Sequence, residues 1–172
     1  MNKILFFSAL LCLIVFAACQ KENDPDGGEM TLKVLLTDNP LDAEEVNVEI
    51  QRVQVKMEGD GDDQWIELET NAGVYNLLDL QNGVTTPLAE GPLPGNRVKE
   101  IRVVLGSQND IVIAGETFPL TTPSAQSSGI KIKVDKAFQS AIEELVIDFD
   151  AALSVHLTGN GMYILNPVIR VK

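Results

Sequence analysis

Cysteine is nearly missing from this 172-residue chain, and its two copies, Cys12 and Cys19, both fall in the first nineteen residues. The sequence after them can form neither a disulfide framework nor a thiolate metal site. Histidine occurs once, at His156, and aromatic residues make up only 5%, with a single tryptophan, Trp65. So few rings are expected to serve as core anchors. Basic residues are outnumbered, 13 Lys and Arg against 25 Asp and Glu, for a net charge of −12. Nucleic acid and anionic lipid surfaces both demand basic patches, so this balance argues against either as a partner. The sequence also lacks an apolar run of the roughly 20 residues that a spanning helix needs. It has no GxSxG nucleophile elbow and no internal repeat.

What is present begins at the amino terminus. Lys3 precedes an almost unbroken apolar stretch from Ile4 to Phe16, and the small residues Ala17 and Ala18 stand before Cys19. A positive start, a short apolar core and a small-residue cleavage site make a secretory signal. Phe16-Ala17-Ala18-Cys19 resembles the lipobox of bacterial lipoproteins, with Phe where Leu is typical. The resemblance implies that Cys19 is alkylated with diacylglycerol and becomes the mature amino terminus. An exported, unpaired thiol would otherwise need explaining. Several acyl chains also meet the requirement for more than one lipid signal, each buried methylene contributing about 0.8 kcal/mol. Gln20-Lys21-Glu22-Asn23-Asp24 resembles the lysine-and-acid tag of Bacteroidetes-type lipoproteins exported to the cell surface. The expected location is therefore the outer membrane, anchored by lipid, at the surface or otherwise facing the periplasm. Gln20 to Glu29 contains Pro25, Gly27 and Gly28 and no apolar residue, the composition of a flexible tether. The expected organisation is a signal over 1–18, a tether over 19–29 and a single domain over 30–172.

From Thr31 onward, alternation with period two dominates, the mark of half-buried strands. Leu32, Val34 and Leu36 share a face. Val46, Val48 and Ile50 share another, and then the phase slips to Val53, Val55 and Met57, as a β-bulge near Gln51-Arg52 would produce. A polar turn over 59–64 leads to a short strand at Trp65–Leu68, and Ile101, Val103 and Leu105 alternate with Glu100 and Arg102. Ile111–Ala114 and Thr117–Leu120 flank Gly115-Glu116, which predicts a type II′ hairpin. Ile130, Ile132 and Val134 alternate with lysines, and Leu145, Ile147 and Phe149 form a further strand. Between them, Phe138, Ala141, Ile142 and Leu145 have the spacing of one short helix or turn near 136–144. Gly159-Asn160-Gly161 predicts a hairpin, and Met162–Val171 a closing strand interrupted at Pro167. The stretch from Asn82 to Asn96, with three prolines and three glycines, is expected as a long loop. Nine or so strands at this spacing predict an all-β protein, an antiparallel β-sandwich of immunoglobulin-like or transthyretin-like shape, or a barrel.

Certain blocks carry a likeness. They are Leu36-Thr37-Asp38-Asn39-Pro40, Trp65 before Asn76-Leu77-Leu78-Asp79-Leu80, Asn82-Gly83, and Pro123-Ser124 with Ser128-Gly129-Ile130-Lys131. The most specific runs from Asp148-Phe149-Asp150-Ala151 and Ser154 through Gly159-Asn160-Gly161-Met162-Tyr163-Ile164-Leu165-Asn166-Pro167-Val168-Ile169-Arg170. On these residues, from about Thr31 to Val171, the chain resembles the bacterial lipoprotein family called domain of unknown function 4382. A departure is Asn96-Arg97, where the family often has an aromatic residue. The resemblance implies a lipidated β-sandwich and no particular activity.

Candidates for chemistry are few. Asp148 and Asp150, two apart on a strand, share a face. With Asp38 and Asp79 they are the candidates for a polar or Ca²⁺ site, since hard cations want several carboxylate oxygens. An ordinary solvent face competes, with Asp38 and Asp79 in turn or capping roles; no ligand spacing matches a defined calcium loop. Glu58-Gly59-Asp60-Gly61-Asp62-Asp63 lacks the twelve-residue frame and closing Glu of such a loop and reads as a solvated turn. Ser154 and His156 at i and i+2 of a strand would stand roughly 6.6–6.8 Å apart. That exceeds the hydrogen-bond reach a nucleophile and its base require. Trp65, Tyr75 and Tyr163 are the candidates for an aromatic sugar platform, against the commoner role of such rings as core anchors, which Trp65 beside Ile66 on a short strand fits well. The expectation is a non-catalytic surface module of binding or scaffolding type, without a cofactor, meeting the membrane through Cys19 and an envelope protein or glycan through its domain. The alternative is a carbohydrate-binding or glycan-active protein, Ca²⁺-dependent if the acids cluster.

Overall fold

The computed structural model describes residues 29–39, 41–61, 64–122 and 128–172. The signal, Cys19 and nearly all of the tether lie outside the described residues, as do Pro40, Asp62, Asp63 and Pro123-Ser124. The first seven strands are β1 Met30–Asp38, β2 Glu45–Met57, β3 Ile66–Glu67, β4 Glu69–Thr70, β5 Gly73–Asn76, β6 Thr86–Leu93 and β7 Arg97–Leu105. The rest are β8 Asp110–Ile113, β9 Glu116–Thr121, β10 Ile130–Ala137, β11 Ile142–Phe149, β12 Val155–Leu157, β13 Tyr163–Leu165 and β14 Ile169–Val171. A 3₁₀ turn at Leu77–Leu80 and a single helical turn, α1 at Ala151–Ser154, complete the elements among the described residues.

The strands form two sheets, one ordered β14-β11-β1-β6-β4 and the other β10-β7-β2-β8-β9-β13-β12, with β3 and β5 added beside β2. Alternation explains the core between them. Leu32, Val34 and Leu36 of β1 and Leu145, Ile147 and Phe149 of β11 are buried. Opposite them, Val46, Val48, Ile50, Val53 and Val55 of β2 and Ile101, Val103 and Leu105 of β7 are buried too. Each such side chain contributes about 1.5–3 kcal/mol on burial. The phase slip in β2 is a register shift against β7 between Ile50 and Arg52, which keeps both halves of the strand facing the core.

Three features depart from the pattern read in the sequence. Pairing is antiparallel except that β1 runs parallel to β11, and β13 parallel to β9. Alternation reports which face is buried and carries no information about strand direction. The expected loop over 82–96 contains β6, which lies between β1 and β4. Its prolines are tolerated because β4 covers only Ala89 and Glu90, leaving Pro87 and Pro92 beyond the paired part of that side. The segment near 136–144, expected as a short helix or turn, is a turn between β10 and β11; Phe138, buried there, plugs the core. The β8–β9 hairpin turns at Ala114-Gly115, both at positive φ (52° and 77°), so it is of type I′ and one residue earlier than type II′ would place it. At Pro167 the final strand divides, β13 pairing in one sheet and β14 in the other.

Candidate functional site

Because β1 and β11 run parallel, their carboxyl ends emerge side by side, with Thr37 opposite Asp148 and Asp38 opposite Phe149. That brings three of the four acids singled out in the sequence to one end of the sandwich. Asp38, Asp148 and Asp150 are each at most 4% exposed, so they do not sit on an ordinary solvent face. β14, antiparallel to β11, sets Arg170 directly across from Asp148. The Arg170 fork donates from Nε to Asp148 Oδ2 at 3.0 Å and from Nη2 to Asp150 Oδ2 at 3.2 Å. Asn39 Nδ2 reaches the same two oxygens at 3.3 and 2.9 Å, and Lys172 Nζ lies 3.6 Å from Asp148 Oδ1. The place a cation would take among these oxygens is thus held by a guanidinium and an amide.

The remaining oxygens build the chain reversal after β11. Asp150 caps α1, its Oδ1 accepting from Leu153 N at 3.0 Å, and Asp38 Oδ1 accepts from Ala151 N at 2.8 Å. Two carboxylates thereby satisfy N–H groups of one helical turn. Ser154 ends that turn. Its Oγ donates to Asp150 O at 2.5 Å and accepts from Val168 N at 2.8 Å. Ser154 therefore lies in α1 and not on the strand of His156; it is buried while His156 is exposed. Burial, foremost, pushes the Asp38 carboxyl up to about 6; hydrogen bonds from Ala151 and Asn39 oppose the rise, and the charges of Asp148 and Asp150 add to it. Two buried oxygens, Asp38 Oδ2 and Asp148 Oδ1, accept no hydrogen bond.

Asp79 is not part of this cluster. It sits exposed in the 3₁₀ turn, which Asn76 caps and Thr37 Oγ1 ties down through Leu80 O at 3.0 Å. Among the described residues no group of three or more His, Cys, Asp or Glu side chains is arranged to hold a metal ion. The described part of the 58–63 segment is a turn closed by Asp60 Oδ2 on Met57 N at 3.1 Å, with Glu58 paired to Arg97. The aromatic residues are dispersed. Tyr75, hydrogen-bonded to Asn71 O, and Tyr163, packed 5.2 Å from Phe118, both lean on the core. Trp65 has the Arg102 guanidinium 3.8 Å from its ring centroid, with Lys56 and Lys131 farther out. Arg170, Lys172 and Asn39 were not singled out as site residues in the sequence. Arg170 alternates with Ile169 and Val171 on β14, a signal that it faces away from the core, but nothing local says that it meets Asp148.

The family model described as Domain of unknown function (DUF4382) matches residues 29–167. The chain belongs to that family. The part matched to DUF4382 includes Asp38, Asn39, Asp148 and Asp150 and ends before Arg170 and Lys172, which complete the charge cluster. No curated protein and no solved structure matches the chain.

Proposed function

We propose that this protein is a non-catalytic lipoprotein of the outer membrane, held by lipid at Cys19, whose β-sandwich serves as a binding or scaffolding module at the cell surface. The observation that carries the reading is the order Lys3, apolar 4–16, Ala17-Ala18-Cys19, then the polar stretch from Gln20 through Glu29 with its single lysine and several acids, directly ahead of β1. The geometry of the acidic end supports the non-catalytic part. Asp148 and Asp150 are engaged by Arg170, Ser154 by the backbone, and His156 is exposed on β12. A general acid, base or nucleophile needs a free partner within hydrogen-bond reach.

The test is Cys19→Ala in cells fed a labelled fatty acid. The wild-type chain is expected to take the label and sediment with membranes, and the variant to lose both. A variant that retains label and membrane association refutes the anchor. A Ca²⁺-dependent glycan-binding reading has one observation behind it, the two buried carboxylate oxygens without hydrogen-bond partners. It requires the melting temperature to rise with millimolar Ca²⁺ and to fall back with a chelator; an unchanged melt retires it.

A further inference from the structure

The strands that end the two sheets are guarded unequally. β10 carries exposed Lys131, Lys133 and Lys136, β14 carries exposed Arg170 followed by Lys172, and β4 begins with exposed Glu69. Charge on an edge discourages pairing with another chain. β12 has no such device. From Ala151 to Ile169 there is no Asp, Glu, Lys or Arg, although charged residues make up 22% of the chain. Among the described residues β12 pairs with β13 alone, leaving its other edge open. The surface around it is apolar. Four of the seven large hydrophobic side chains exposed among the described residues gather here: Leu157 (62%), Met162 (58%), Leu153 (54%) and Val168 (37%). Backbone pairing holds them at one end, since Leu157 faces Tyr163, next to Met162, and Val168 N binds the Ser154 hydroxyl, next to Leu153.

We propose that β12 is a homotypic docking edge, at which a second copy of this chain pairs its own β12 antiparallel, about a two-fold axis near His156. The nine-stranded sheet then continues from one copy into the other. Charge selects the occupant. Two chains of net charge −12 repel each other wherever acidic surfaces face, and this tip is where two copies meet without bringing like charges together. A cationic partner, by contrast, would find its complement on the acidic surfaces elsewhere. A two-fold contact places the same patch on both sides, so the exposed leucines and Met162 of one copy cover those of the other. The pairing satisfies open backbone groups as well as burying apolar surface. It does not depend on whether Cys19 is lipidated.

Antiparallel pairing about His156 sets that residue opposite itself, with Cα atoms roughly 4.5–5.5 Å apart, inside the range of a disulfide. The experiment is His156→Cys in the full-length chain, expressed in its own cells, oxidised and run without reductant. The expected result is a covalent species of twice the chain mass, well above the unsubstituted parent. Lys133→Cys on the guarded edge should stay at the parent's level, and adding Leu157→Glu to His156→Cys should cut the dimer at least tenfold. A monomeric His156→Cys, a cross-link of another mass, or equal cross-linking through Lys133→Cys overturns the proposal. Leu157→Glu on its own supplies the second reading. Leu157 being largely exposed in the single chain, the variant should stay folded, melting as the wild type does at concentrations low enough to dissociate the dimer, and at higher concentration it should sediment as a monomer where the wild type sediments as a dimer. Equal masses also overturn it.

Discussion

Asp38 places a carboxylate where water scarcely reaches it, and its position ties the end of β1 to the start of α1. Its proton is held up to a pH of about 6, above the ordinary value of 3.8, so the folded state binds that proton more tightly than the unfolded chain. The Asp38 contribution to stability is then greatest below about 4, and it is lost as the pH rises through about 6. Asp38→Asn keeps an acceptor for Ala151 N and removes the buried charge. It should melt higher than the wild type at pH 7.5, with the margin shrinking by pH 5; a margin that grows on acidification contradicts the assignment. Arg170 does the opposite work, neutralising Asp148, whose side chain is fully buried. Arg170→Ala leaves Lys172 at 3.6 Å as the remaining cation, and chemical denaturation should show a loss of about 2–4 kcal/mol. Arg170→Lys, which keeps the charge without the fork, should fall between.

At the scale of elements, much of the fold is legible in the sequence. The β2 phase slip was readable because side-chain period is two and the core lies on one side, so only an extra residue reconciles Ile50 with Val53. β6 was hidden because Pro87, Gly91 and Pro92 carry turn chemistry that short-range reading weighs heavily, while the permissive partial edge is a tertiary fact. The type I′ turn was hidden by Ala114, a residue seldom found at positive φ. Ala114→Gly should therefore stabilise by about 0.5–1 kcal/mol in a denaturant titration. Gly129 makes the reverse case. It has φ +67°, and a Cβ there would lie 2.7 Å from Arg102 Cγ and 3.1 Å from Val103 O. Gly129→Ala should cost about 1–2 kcal/mol. The acidic site was half legible. Asp148 and Asp150 share a local pattern, but their meeting with Asp38 depends on the parallel β1–β11 register, and with Arg170 on a crossing at Pro167.

The amino-terminal segment carries the sequence pattern of the proposed export and anchoring signal, the two sheets enclose the core, and Asp38, Asp148 and Asp150 are engaged in closing one end of the sandwich. The proposed anchor and the closed acidic end are what the proposed role as a presenting module rests on. The most direct measurement is mass spectrometry of the amino-terminal peptide of the chain recovered from its own membranes. The account predicts a peptide beginning at Cys19 and carrying diacylglycerol, with residues 1–18 gone. A mature terminus elsewhere, or an unmodified Cys19 thiol in the membrane-recovered chain, contradicts it.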